Sequence, residues 1–133
     1  MIISKQKINF RDARGTISDI LDNVPVNCVT ILTSKKGVSR GNHFHKKTTQ
    51  YTYIVSGRVR YLSRKGGGKV RSAVLTAGGL AISPPGEAHT VVALADTVFL
   101  SISRGPRHGL NYEADTYRLD VPLGAAAGRR SRR

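Results

Sequence analysis

The stretch "GVSRGNHFHKKTTQYTYIVSG", residues 37–57, determines how the rest of the chain is interpreted. Its histidines His43 and His45 are one residue apart, so on a strand both side chains point to the same face. Gln50 follows a predicted bend and shares a face with Thr52 and Ile54 on the next strand. Converging imidazoles suit metal binding or acid/base chemistry. This spacing therefore predicts a functional site.

Short apolar runs rich in β-branched residues follow one another along the chain, separated by glycine and proline. Their spacing of about 8–12 residues is typical of an antiparallel sandwich or barrel. We therefore expect an all-β fold with turns at "KGGGK", residues 65–69, and "TAGGL", residues 76–80. Only "GTISDILDN" and "NYEADTYRL" resemble short helices. The predicted strands are "VNCVTILTS", "QYTYIVSG", "RVRYLSRK", "KVRSAVLT", "LAISPPG", "HTVVALA" and "TVFLSISRG".

The 133 residues suit one domain, predicted over residues 1–120. Residues 121–133 form a basic tail that cannot bury enough apolar surface to order itself, so we predict it to be disordered. Its arginines are Arg129, Arg130, Arg132 and Arg133. The single cysteine, Cys28, lies in an apolar run and is expected to be a small buried thiol. No disulfide within the chain is possible.

Lysine and arginine number 22 against 8 acidic residues, which gives a formal net charge of +14. Nucleic acid is disfavoured as the partner, because tryptophan is absent, only 6% of residues are aromatic and no nucleic-acid-binding motif is present. An anionic small molecule is favoured instead, since guanidinium groups match phosphate oxygens. The sequence has neither a secretory signal nor a run of 18 apolar residues, so we expect a cytoplasmic protein that does not enter a membrane.

A third histidine, His89, follows "SPPGEA", and the positions around the three histidines resemble the two-part motif of the cupin superfamily, the RmlC-like cupins. The first part comprises Gly37, His43, His45, Gln50 and Gly57, and the second comprises Gly78, Pro84, Gly86 and His89. The resemblance implies a cupin double-stranded β-helix, that is, a jelly-roll barrel. It also implies a site inside the barrel mouth.

In metal-binding cupins the corresponding positions hold one divalent metal, and here the glutamate ligand is replaced by Gln50. Ala93 stands where the second motif often ends in asparagine. The resemblance thus implies a metal held by His43, His45 and His89, with Gln50 as a weak fourth ligand. Zinc is favoured over nickel or iron, because three neutral imidazoles and a water suit zinc and the lost carboxylate disfavours redox iron. No organic cofactor is expected.

A narrower resemblance, over residues ~10–119, is to cupins of nucleotide-sugar metabolism. These are the sugar-nucleotide 3,4-ketoisomerases, the dTDP-4-dehydrorhamnose 3,5-epimerase-like proteins and the cupin domain of capsular-polysaccharide reductases. The ketoisomerases carry an "RG.H.HK" segment followed by glutamine, matched here by Arg40, Gly41, His43, His45, Lys46 and Gln50. Two features depart from them: "CVTILTS" lacks their tyrosine, and His89 is present where they generally have no histidine.

This resemblance implies a sugar-nucleotide ligand and isomerisation or epimerisation of a keto-sugar, with His43 or His45 as the base. Arg40 and Lys46 would hold the diphosphate, and Arg58 and Arg60 are further candidates if their strand face lines a ligand groove. Tyr51 and Tyr53 lie on the face opposite Gln50, which disfavours either as the acid.

Two other readings stay open: a metal-dependent cupin with another small-molecule substrate, and a non-catalytic ligand-binding cupin. We also expect a homodimer that pairs through sheet edges, because such pairing covers unpaired backbone groups.

Overall fold

The chain folds into two five-stranded sheets that face each other, together with a small separate hairpin. The computed structural model describes residues 1–107, 109–111 and 113–124. The strands are β1 (Ile2–Lys5), β2 (Phe10–Asp12), β3 (Gly15–Ile17), β4 (Cys28–Ser34), β5 (Ser39–Phe44), β6 (Thr49–Ser56), β7 (Arg58–Lys65), β8 (Arg71–Thr76), β9 (Gly79–Ser83), β10 (Glu87–Ala93), β11 (Thr97–Arg104) and β12 (Tyr117–Arg118). A 3-10 turn spans Gly109–Asn111.

The two sheets are built from strands that alternate between them. The first has the order β1-β9-β6-β11-β4 and the second β12-β5-β10-β7-β8, and neighbouring strands are antiparallel. From β4 to β11 the chain changes sheet at every connection except the β7–β8 hairpin. This path is a jelly roll, and it confirms the predicted all-β fold.

Apolar side chains from both sheets fill one part of the space between them. Successive side chains of a strand point to opposite faces, so every second residue points inwards. The buried residues of this core are Ile54, Val59, Tyr61, Leu75, Ala81, Val91 and Phe99. Burying one large side chain of this kind contributes about 1.5–3 kcal/mol. This packed part fixes the spacing of the strands, and the polar residues of the site lie on the same strands.

A second apolar cluster lies on the outer face of the second sheet. The C-terminal segment crosses this face and buries Leu123, which is 1% exposed, against Leu62 and Ala88. The Leu123 N–H also donates to Asn42 Oδ1 at 2.9 Å. The predicted boundary after residue 120 is therefore too early, because Leu123 packs on the barrel. The predicted disorder of residues 125–133, which include the four tail arginines, concerns residues outside the described part.

All seven predicted strand runs are strands, and both predicted turns are present. The loop after Lys65 closes the β7–β8 hairpin, whereas the turn at Gly78 carries the chain from the second sheet to the first. The two helical predictions are wrong. Residues 15–17 pair with β2 as a strand, and Tyr117–Arg118 pair with β5, because pairing partners far along the chain override weak local helix preference. Among the described residues, no helix has the length and apolar character needed to span a membrane.

Candidate functional site

A cavity of about 360 Å³ lies between the two sheets next to the packed core, whose Val91 and Phe99 line part of its wall. His43, His45, Gln50 and His89 all line it, so these four predicted residues meet in one place. Its volume is at the lower end of the range for small-molecule sites, roughly 300–1,000 Å³. The cavity has room for a sugar-sized group beside the histidines.

Strand register brings the histidines of the two motifs together. Strand β5 pairs with β10 so that His43 lies directly opposite His89. His45 follows the end of β5 and turns to the same side. Ring centroids lie 4.8 Å apart for His43 and His45, 4.8 Å for His43 and His89, and 5.4 Å for His45 and His89.

Gly41 allows β5 and β10 to approach closely beside this cluster. Its φ of +115° lies in the region that glycine adopts readily, and the strand pairing shifts register between His89 and Thr90. A Cβ on residue 41 would lie 2.8 Å from the carbonyl oxygen of His89. Only glycine fits here without moving the strand that carries His89.

The hydrogen bonds of the cluster determine which nitrogens are available. His43 Nε2 and His89 Nε2 lie 3.1 Å apart, so one donates to the other when both rings are neutral. His45 Nδ1 lies 2.9 Å from the carbonyl oxygen of Asp115. A carbonyl can only accept, so Nδ1 carries a proton, and in the neutral ring the lone pair is therefore on Nε2. That Nε2 is buried and has no hydrogen-bond partner.

Burial keeps two of the three imidazoles neutral. Burial, with smaller effects of His45 and Arg118, lowers the pKa of His43 to about 4. Burial and the two neighbouring imidazoles hold the pKa of His89 well below its usual value, although the Glu87 backbone carbonyl acts in the opposite direction. Near neutral pH both rings can therefore offer a lone pair.

This arrangement fits a divalent metal. One ligand nitrogen from each of His43, His45 and His89 lies within 4.8 Å of the others. Two nitrogens bound to one tetrahedral zinc lie about 3.3 Å apart, close to the 3.1 Å between His43 Nε2 and His89 Nε2. Gln50 donates through Nε2 to Thr52 Oγ1 at 3.4 Å, which leaves its carbonyl oxygen as a weak ligand.

Three arginines line the cavity together with the histidines. Arg40 donates to Ser34 Oγ and to the Thr33 carbonyl oxygen, both at 2.9 Å, and so bridges β5 to β4. Arg107 follows β11 and donates to Thr30 Oγ1 at 3.0 Å. Arg118 comes from β12. Sequence reasoning missed Arg107 and Arg118, because isolated loop arginines carry no spacing signal and the β12–β5 register is not visible in the sequence.

Arg107 also donates to the sulfur of Cys28 at 3.2 Å. The predicted buried thiol is in fact only half-buried, and Cys28 is the first residue of β4, an edge strand of the first sheet.

Three residues predicted to bind substrate do not line the cavity. Arg58 and Arg60 are exposed on the outer face of β7, because the intervening Val59 and Tyr61 fill the core. Lys46 is exposed, with its Nζ 4.4 Å from the centroid of the Tyr117 ring. These predictions are corrected: the side chains of Arg58, Arg60 and Lys46 are exposed and do not line the cavity.

Tyr53 lies on the outer face of its strand, as predicted, and donates to Gln6 Oε1.

Comparison with known proteins identifies a family and a fold. The sequence profile of the polysaccharide biosynthesis C-terminal domain family matches residues 10–102. No curated protein sequence matches the chain.

Solved structures share the fold at low sequence identity. A sugar 3,4-ketoisomerase, QdtA from Thermoanaerobacterium thermosaccharolyticum, in complex with TDP, has a TM-score of 0.74 and 20% identity over 96% of this chain and 95% of its own. The rmlC epimerase of Mycobacterium tuberculosis has a TM-score of 0.75 and 20% identity over 92% of this chain and 71% of its own.

The capsular polysaccharide assembling protein CapF of Staphylococcus aureus has a TM-score of 0.61 and 22% identity over 87% of this chain. This chain spans only 34% of the CapF chain. The fold is that of an RmlC-like cupin, and the chain belongs to the polysaccharide biosynthesis C-terminal domain family.

Proposed function

We propose that the chain binds a sugar nucleotide in the histidine-lined cavity and isomerises or epimerises its keto-sugar by acid/base chemistry. The observation that carries this proposal is the presence of three imidazoles and three guanidinium groups on the wall of one cavity. The similarity in fold to a ketoisomerase and an epimerase supports it.

The two sets of residues have separate roles in this proposal. Arg40, Arg107 and Arg118 hold the diphosphate, since guanidinium groups form paired, charge-assisted hydrogen bonds with phosphate oxygens. The sugar then reaches the imidazoles. His43 or His45 removes the proton from the carbon next to the carbonyl, the C–H electron pair forms a C=C bond and the carbonyl π pair moves to oxygen. In isomerisation the imidazolium returns this proton to the former carbonyl carbon, while the proton of the neighbouring hydroxyl passes to the former carbonyl oxygen. In epimerisation a water molecule protonates the original carbon from the opposite face, and the imidazolium gives its proton to the resulting hydroxide.

His45 is the better placed of the two as the base. Its Nε2 lone pair is buried and unpartnered, and its Nδ1–H is held by a backbone carbonyl. The depressed pKa of His43 makes its imidazole a weaker base than an ordinary histidine.

Binding is tested by calorimetry and thermal unfolding with dTDP and UDP, with inorganic phosphate for comparison. A ligand selective for the folded state raises the melting temperature by mass action. Loss of one charge-assisted contact in Arg107→Ala weakens dTDP binding about tenfold or more. Arg58→Ala is the matched control on the outer face and keeps the wild-type affinity. Absence of binding by any nucleotide at millimolar concentration contradicts the proposal.

Catalysis is tested separately with a dTDP-linked 4-keto sugar in deuterium oxide. Proton removal next to the carbonyl introduces deuterium into the sugar, which mass spectrometry detects, and His45→Ala abolishes the exchange. Tight binding without exchange over long incubation indicates a non-catalytic binding cupin instead.

The second candidate is a metal-dependent cupin, and the low pKa values of His43 and His89 favour it. Metal binding needs neutral imidazoles, and these two are neutral at physiological pH. His43, His45 and His89 would hold one divalent metal, zinc being best suited, with the Gln50 carbonyl as a weak fourth ligand. A bound zinc would supply Lewis-acid chemistry.

Elemental analysis of protein purified without added metal tests this candidate. The expected result is about one metal per chain, lost in His45→Ala. Gln50→Glu adds a negative ligand and tightens zinc binding, whereas Gln50→Ala does not. Metal-free protein that also fails to bind added zinc contradicts the candidate.

We further propose a homodimer formed through the outer face of the first sheet, including its edge strand β4. Val29 and Ile31 on β4 are 63% and 67% exposed, and they lie beside Ile102 and Leu100. The neighbouring outward positions Thr33 and Val98 are also uncharged. Each chain carries a formal net charge of +14, so two copies repel each other. Burial of an uncharged apolar face is what can offset this repulsion.

A further inference from the structure

Asp115 makes four hydrogen bonds around the turn between β5 and β6, although it lies outside both histidine motifs. Its carboxylate accepts from the Lys46 N–H at 3.0 Å, the Lys47 N–H at 2.8 Å and the Thr48 hydroxyl at 2.8 Å. Its backbone carbonyl accepts from His45 Nδ1–H at 2.9 Å. One residue therefore holds the whole turn that begins with His45.

The backbone of Asp115 is in a conformation that few residues adopt. Its φ is +58°, in the left-handed region, where aspartate and asparagine are the most tolerated residues after glycine. The three contacts to the carboxylate keep the backbone in this conformation. The conformation turns the carbonyl towards His45 and the carboxylate towards the turn.

The contact to His45 is protected from water. His45 is 4% exposed and Thr48 is 1% exposed, so little water reaches the contact between Nδ1 and the Asp115 carbonyl. In a free neutral imidazole the proton can occupy either nitrogen. Here the carbonyl holds it on Nδ1 and leaves the Nε2 lone pair inside the cavity.

We propose that Asp115 is a positioning residue that fixes the tautomer of His45. The inference deepens the proposed function, on which its relevance rests, because a base and a metal ligand both need an unprotonated Nε2. Asp115 itself touches neither reacting atoms nor a metal, and it acts only through the ring of His45.

The test is nitrogen NMR of protein labelled with ¹⁵N-histidine, kept free of metal and ligand at pH 8. In the wild type, His45 shows a protonated Nδ1 and an unprotonated Nε2. Asp115→Ala loses this pattern and gives a signal averaged over both tautomers. Asp115→Gly also loses it, since glycine permits the backbone conformation but lacks the carboxylate. Asp115→Asn keeps one acceptor oxygen and restores the pattern at least in part.

Asp120→Ala is the matched control, an exposed acidic residue on the same segment, and it retains the wild-type signal. The amide spectrum verifies that each variant is folded. A wild-type His45 with the proton on Nε2 overturns the proposal even if no variant folds. So does a folded Asp115→Ala protein with the wild-type pattern. The measurement uses no nucleotide, so failure of sugar-nucleotide binding leaves its outcome unchanged.

Discussion

At the scale of single residues, the chemistry of the cavity depends on imidazoles that remain neutral. The pKa of His43 falls to about 4 because burial penalises its charged form, and His89 is shifted in the same direction. A neutral ring keeps a lone pair for a proton or a metal. The same burial makes protonation costly for the fold, which can be measured.

We expect stability to fall as the pH drops from about 7 towards 4. The imidazole pKa is about 6.5 in the unfolded chain, so in this window the unfolded state binds more protons than the folded state. The His43 shift accounts for a loss on the order of 2 kcal/mol in the free energy of unfolding. Urea unfolding of metal-free protein at several pH values measures it.

His43→Gln is the control for this prediction, because glutamine does not titrate. Its stability should depend less steeply on pH, and the remaining slope comes from His89 and, near pH 4, from the lowered pKa values of Asp12 and Asp115. If the variant and the wild type show equal slopes, burial of His43 is not the cause.

At the scale of elements, the β5–β10 pair decides where the two motifs meet. His43 lies opposite His89 only in the observed register, and the shift between His89 and Thr90 lets the strands adapt around Gly41. A different register would move one histidine out of the cavity. Gly41 is therefore as important for the site as the histidines.

Gly41→Ala should destabilise the protein by about 1–3 kcal/mol from backbone strain alone, because φ is +115° and a Cβ would contact the His89 backbone. Denaturant unfolding measures the loss. Gly67→Ala in the β7–β8 loop is the control, since a Cβ there meets open space. It should change stability by no more than about 0.5 kcal/mol. If Gly41→Ala and Gly67→Ala have the same free energy of unfolding, the role given to Gly41 is contradicted.

At the scale of the whole molecule, the two sheets have different outer faces. The C-terminal segment covers part of the second sheet, where Leu123 is buried. On the first sheet Val29 and Ile31 remain exposed. This difference explains why the proposed contact between two copies uses the first sheet.

Ile31→Asp should convert a dimer into a monomer, measured by size-exclusion chromatography with light scattering. An unpaired charge buried in the contact costs on the order of 3 kcal/mol, which is roughly a hundredfold in the dimer Kd. Val74→Asp is the control, because Val74 is 49% exposed on β8 of the other sheet. A wild-type monomer, or a dimer that survives Ile31→Asp, contradicts the proposed face.

The sequence by itself determined the all-β fold and most of the strands, and the resemblance of its two motifs to those of cupins predicted that His43, His45 and His89 meet. The alternation of apolar and polar residues and the turn residues are local features of the sequence. The spacing of the residues in both motifs can also be taken directly from it. Only the tertiary structure decided that Arg107 and Arg118 reach the cavity, that Arg58 and Arg60 face solvent, and that Asp115 contacts His45. These features depend on the register of strands far apart in the chain and on the paths of loops. A polar strand face suits solvent and a polar cavity equally well. Packing across the barrel, which the local sequence does not show, therefore decides which of the two a polar side chain meets.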